Sequence, residues 1–245
     1  MGHPLLIRVL LGAAGLGGCL AILSGVARAA DSADLGQRPI IISNAAPPVA
    51  PNMFGTMTLR ITPGRYVDDW ERARRDASSV PQMRMLIAPA RGLSPEQQIY
   101  YIQAAVFRQI AWRSDATEWG RHDYWASAQE TLEHGVGDME DRAIVKMQAL
   151  RALGFSTRDL YLTMGRDKVG GPVTVLIVRR GNRYFVLDDT AGPPLTADRR
   201  PEFTPMLTFG YGASWIHGYA YAGRTAQART VTASAFGSIQ RGPTT

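Results

Sequence analysis

Positions 135–144 of the chain read GVGDMEDRAI, with Asp138, Glu140 and Asp141 crowded around Met139. The stretch opens a helical pattern over 138–153. Asp138 is placed to cap it and Asp141 falls at the third helical position. Met139, Ala143, Met147 and Leu150 are expected to form its buried face, and Gly154 to stop it. A helix start carries partial positive charge, so a cysteine placed there becomes a good nucleophile near neutral pH. Such a thiol needs a histidine from a neighbouring strand as its base and a polar residue to orient that histidine. The residue at this place is Met139, whose thioether has no proton to lose.

The elements that would position such a site follow from periodicity. A helix is expected over 66–77 and a clearer one over 94–110, with Ser94 as N-cap, Pro95 at the first position and Gln97 closing a capping box. Ile99, Ile102, Val106 and Ile110 make its apolar stripe. Residues 111–129 hold three of the five tryptophans and read as an aromatic-rich loop packed on the core. After Gly154 the period changes to that of strands, over 159–164, 173–179 and 183–187, with Gly181-Asn182 as a tight hairpin turn. A further strand is expected near 206–209. Helices followed by antiparallel strands define an α+β class.

Composition is that of an ordinary globular domain: 245 residues, 45 % hydrophobic and 20 % charged. The net charge of +6 comes from scattered basic residues that form no stripe, so no nucleic-acid partner is expected. Residues 1–29 read as a secretion signal: Arg8, an apolar run over 9–26, and the small-residue site Ala27-Arg28-Ala29. Cleavage there removes two arginines and no acid, taking +6 to +4. A competing reading takes Leu16-Gly17-Gly18-Cys19 as a lipidation site that anchors the protein at Cys19. Cys19 is the only cysteine, so no disulfide framework, cysteine metal site or thiol nucleophile remains beyond the leader. Residues 30–51 read as a flexible arm, 52–222 as the folded domain and 223–245 as a loose tail.

Several stretches resemble the bacterial transglutaminase-like cysteine peptidases, the LapG-like periplasmic proteases that release surface adhesins. They are residues 112–155, VTVLIV at 173–178, FVLDD at 185–189 and NMFGTMTLR at 52–60. The resemblance implies a papain-like or transglutaminase-like fold, with N-terminal helices packed on an antiparallel sheet. The family pattern is Gly-Asp-Cys-Glu-Asp, then an aromatic and alanine. Gly137, Asp138, Glu140, Asp141 and Ala143 match it, while the nucleophile falls on Met139 and the aromatic on Arg142. With Val175-Leu176 setting the strand register, the family's histidine falls on Val173, and Thr174 is expected to point to the opposite face. The third member falls on Asp188, with Asp189 in place of an asparagine.

On this alignment no catalytic residue is expected. Met139 and Val173 should pack together across the old cleft, with Asp188 nearby; having lost its partner, Asp188 should have found a new donor, Arg142 being one candidate, be solvent-exposed, or titrate high. The resemblance also implies a calcium site that includes Asp138 and Glu140. The same acids read equally well as an N-cap and a dipole-favoured glutamate. The function expected is that of a secreted, periplasmic pseudopeptidase that binds a protein partner or client peptide in the former substrate groove. Two alternatives stand beside it: a hydrolase with a rewired nucleophile, and a calcium-dependent structural or assembly factor.

Overall fold

The computed structural model describes residues 50–168 and 171–219. The leader with Cys19, the arm up to residue 49 and the tail at 223–245 lie outside these residues. The helices are α1 (Val67–Ala73), α2 (Pro81–Ile87), α3 (Pro95–Gln109), α4 (Asp115–Glu118), α5 (Ala128–His134) and α6 (Met139–Ala152). The longer strands are β1 (Met57–Ile61), β4 (Leu160–Asp167), β5 (Gly171–Arg180), β6 (Arg183–Leu187), β8 (Phe203–Gly210) and β9 (Ala213–Gly218). Short pairings add β2 (Ala111–Trp112), β3 (Val136–Gly137) and β7 (Leu195–Thr196). Seven strands form one antiparallel sheet in the order β1-β9-β8-β4-β5-β6-β7. Helices then sheet make this the α+β class expected.

Local chemistry explains the helix ends. Ser94 and Gln97 complete the capping box of α3, and Ile99, Ile102 and Val106 are buried as the stripe predicts. Ser127 and Glu130 build a second capping box on α5, whose end at Gly135 takes the left-handed conformation (φ 69°). Asp138 caps α6, its Oδ1 accepting from the N–H groups of Glu140 (3.1 Å) and Asp141 (3.4 Å). Helix α6 is not amphipathic, contrary to the single buried face expected: every residue from Glu140 to Leu150 is buried. It is the central helix, packed between α3, α5 and the sheet, so its polar residues must find partners inside the protein.

The sheet separates two cores. The larger lies between helices and sheet and includes Leu160, Leu162, Leu176, Val178 and Leu187. The smaller, on the outer face, is built from Tyr161, Val175, Ile177, Val186, Phe203 and Trp215. Trp125 fills the larger core and stacks on Tyr66 at 5.5 Å, as expected for an aromatic loop, but Trp112 stands 61 % exposed. Among the described residues no helix is long and apolar enough to cross a membrane.

The segment entering β1 is fastened by a chain of hydroxyls and one imidazole. Phe54 and Gly55 hold positive φ (56° and 65°) in a mirror-image turn closed by the Thr56 N–H on the Met53 carbonyl (3.2 Å). The Thr56 hydroxyl donates to Met53 O (2.9 Å), so toward His217 Nδ1 (2.7 Å) it must accept. Nδ1 therefore carries the proton. Nε2 accepts from Thr208 (2.7 Å), whose oxygen accepts in turn from Thr163 (3.0 Å).

Burial lowers the His217 pKa from 6.5 to about 4. The folded state thus holds fewer protons than the unfolded state between those values. This contribution to stability is fully present above pH 6.5 and is lost as pH falls toward 4, by at most about 1.4 kcal/mol per pH unit. The buried acids of α6 titrate with the opposite slope, so the loss is read as a difference: by chemical denaturation at pH 7.0, 6.0 and 5.0, the parent should lose stability relative to His217→Gln as pH falls. Glutamine can donate and accept like this tautomer but does not titrate.

Candidate active-site scaffold and acidic cluster

The start of α6 is fixed from both sides. Strand β3 pairs in parallel with β2, setting Gly137 opposite Trp112. A Cβ on Gly137 would lie 2.7 Å from Asp141 Cβ and 3.1 Å from Thr131 Cγ2, so close packing requires glycine there. Asp141 Oδ1 accepts the N–H of Ala126 (2.8 Å), and Asp115 Oδ2 accepts that of Tyr124 (2.7 Å). These two aspartates pin the 115–126 loop against the helix start. Met139 sits at the first helical position, half-buried.

The strand facing this helix start is β5, and it corrects the expected register. Alternation along β5 sends Leu176 and Val178 to the helical core, but Val173, Val175 and Ile177 to the outer one. Val173 therefore lies on the far face of the sheet from α6 and does not pack on Met139. Thr174 is the residue that turns inward: its hydroxyl donates to Glu140 Oε1 at 3.0 Å. Successive side chains of a strand take opposite faces, so Val173 and Thr174 cannot both turn to α6.

The acids after β6 are also redistributed. Asp188 has found a new donor, but it is Arg200 and not Arg142. It also accepts from Thr190 (2.7 Å), while Gln103 from α3 and Lys146 from α6 hold its backbone carbonyl (3.1 and 2.5 Å). Burial lowers the Lys146 pKa to about 8. Arg142 pairs instead with Asp189 (2.5 Å), donates to the Ile110 carbonyl (2.6 Å) and lies over the Phe107 ring. Arg142 thus has an aromatic neighbour and a half-buried carboxylate partner.

Of the two expected calcium ligands, the structure keeps one in an acidic cluster. Asp115, Asp138 and Asp141, all buried, each offer an oxygen, and these atoms lie within 4.8 Å of one another. Glu140 is not among them: its Oε1 accepts from Thr174, although its carboxyl lies beside that of Asp138. Asp115 opens the one-turn helix α4, 23 positions before Asp138, with no local pattern to mark it. Burial first, then the charge of Glu140, raises the Asp138 pKa to about 8; burial and then Asp138 raise Asp141 to about 8. Burial likewise raises Glu140. Asp141 Oδ2 is buried without a hydrogen-bond partner. Three buried carboxylates with an orphaned oxygen demand either protons or a cation, and an all-oxygen set fits a hard divalent ion.

His134 is bound to Glu118 (2.5 Å) and His217 to the two threonines, so neither addresses the helix start through the contacts it makes.

A buried helix start capped by aspartate and facing an inner strand of an antiparallel sheet is the layout of the papain-like and transglutaminase-like proteins. Residues 63–194, more than half of the chain, match the family profile described as bacterial transglutaminase-like cysteine proteinase. The chain belongs to that family. Among solved structures it is similar to Legionella pneumophila LapG, with 26 % identity over 55 % of this chain and 75 % of that one and a TM-score of 0.48. A calcium-bound structure of the same LapG shares 23 % identity over 61 % of this chain and 86 % of that one, with a TM-score of 0.49. No curated protein matches.

Proposed function

We propose that this chain is a non-cutting member of its family: a secreted protein of the cell envelope that holds a polypeptide segment at the old catalytic groove. The observation that carries the reading is the chemistry of the first helical residue of α6 and of the inward β5 residue hydrogen-bonded to that helix. Where the family chemistry needs a thiol on the helix and an imidazole on the strand, Met139 and Thr174 stand. A thioether cannot attack a carbonyl. The Thr174 hydroxyl is buried and already donates to Glu140, so it does not serve as a replacement nucleophile. Helix, strand and acid loop are all retained, which suits a scaffold kept for binding.

Calcium is the proposed ion for Asp115, Asp138 and Asp141. When bound, it would neutralise the buried carboxylates and tie the 115–126 loop to α6. The calcium-bound LapG structure supports this choice by relationship only. The test of function is turnover. Full-length protein, with and without calcium, is expected to release no product above a heat-denatured control from a panel of unfolded proteins and adhesin-like peptides. Product formation that scales with protein concentration and vanishes on Thr174→Val would replace this reading with that of a hydroxyl hydrolase.

A further inference from the structure

One row of residues crosses the helix-side face of the sheet. Thr174 pairs with Met164, Met164 with Leu207, Leu207 with Ile216 and Ile216 with Leu59. Thr174 fixes the face, because it touches Glu140 on α6, and Met164 and Leu207 pack on the helical core. Cover thins along the row. Thr174 is buried, the next three are half-buried, and Leu59 is 65 % exposed. Met57, two residues along β1 on the same face, is also 65 % exposed. The row ends there because β1 is the edge of the sheet among the described residues. Its outer side presents main-chain N–H and C=O groups available for pairing with a further strand.

Resting on the binding role proposed above, we infer that β1 is the docking edge for an extended, acid-bearing segment of another protein, which adds to the sheet as an eighth strand. The occupant's chemistry follows from three features. Free edge groups are satisfied along their length by an extended chain, with pockets for alternate side chains supplying selectivity. The residue set opposite Leu59 continues the apolar row, so the segment carries apolar residues at alternate positions. On the other face the only charge of β1 is Arg60, which is exposed, and a strand neighbour bearing aspartate or glutamate beside it is favoured.

A second copy fits less well. Pairing two β1 strands about Leu59 brings two Arg60 residues to the same face with no acid from β1 to offset them, and each chain carries +6. Arg60 and the exposed apolar pair therefore select an acidic, alternating segment from elsewhere.

The probe is a displayed library of ten-residue peptides, selected on full-length protein. Enriched peptides are expected to alternate apolar residues with at least one acid and to slow amide exchange within 57–61. Leu59→Lys, at an exposed position, should abolish their binding with circular dichroism unchanged. Arg60→Glu should weaken it about fivefold to tenfold and shift fresh selections toward lysine and arginine. Peptides indifferent to both variants would overturn the inference. So would slowed exchange in β1 that grows with protein concentration and needs no peptide, because a second copy would then hold the edge. Peptides that photo-crosslink to Met139 and not to β1 would remove the docking edge while leaving the binding role intact. Cleavage of the bound peptide would remove the binding role instead.

Discussion

Met139→Cys combined with Thr174→His is expected to create a thiol whose alkylation by iodoacetamide inflects below pH 7, against about 8.5 for a free cysteine. Two effects add. The first turn of α6 presents backbone N–H groups and the positive end of the helix, and an imidazole on the inward face of β5 offers a counter-cation. Glu140 Oε1, which holds the Thr174 hydroxyl at 3.0 Å, would accept from the new ring and orient it. The gain in rate at pH 7 is smaller than the shift suggests, about threefold to tenfold, because a more acidic thiolate is also a weaker nucleophile. Met139→Cys with Val173→His is the control: its ring would sit in the outer core, leaving only the helix-start effect. Overpacking at Thr174 should cost about 1–3 kcal/mol, so melting curves of each variant accompany the kinetics. If both double variants inflect together, the assignment of Thr174 to the facing position fails.

That control marks the limit of what the sequence made legible. Helix ends were readable because their signals are local. Ser94, Pro95 and Gln97 announce α3, and Asp138 with its following acids announces α6. Strands β5 and β6 were readable as strands, and the hairpin through Gly181 (φ 57°) with them. Which face each β5 residue takes was not readable, because an apolar run such as VTVLIV is buried on both sides and has no polar phase. The burial of α6 on all sides was hidden for a related reason, since Arg142, Lys146 and Gln148 look like a solvated face until Asp189, the Asp188 carbonyl and the Ala73 carbonyl are in place. Asp115 and Arg200 were missed because only the tertiary fold brings them to Asp138 and Asp188. Strands β1 and β9 frame the edge, yet each is short and their pairing spans almost the whole domain.

Calcium added to chelator-treated protein is expected to raise its melting temperature. At about 100 times Kd the ion adds about 2.7 kcal/mol, which for a domain of this size is about 5–11 °C. The response should increase from pH 6 to pH 8, because protons and ion compete for oxygens whose pKa values burial has pushed to about 8. Variants separate the cluster from its neighbour. Asp115→Asn together with Asp141→Asn should erase the calcium shift, whereas Glu140→Gln should leave most of it, since that carboxylate faces Thr174. The same double variant should melt higher than the parent in chelator. It removes two of three clustered buried carboxyls, and asparagine oxygens can still accept from Tyr124 and Ala126. The two curves must therefore cross: the parent is the less stable protein without calcium and the more stable one with it. A general surface effect of the ion would move parent and variant alike, and an acid cluster that merely shares protons would show the chelator difference with no calcium response. Only a cation held by Asp115, Asp138 and Asp141 produces the crossing, and it would place the ion at the start of α6.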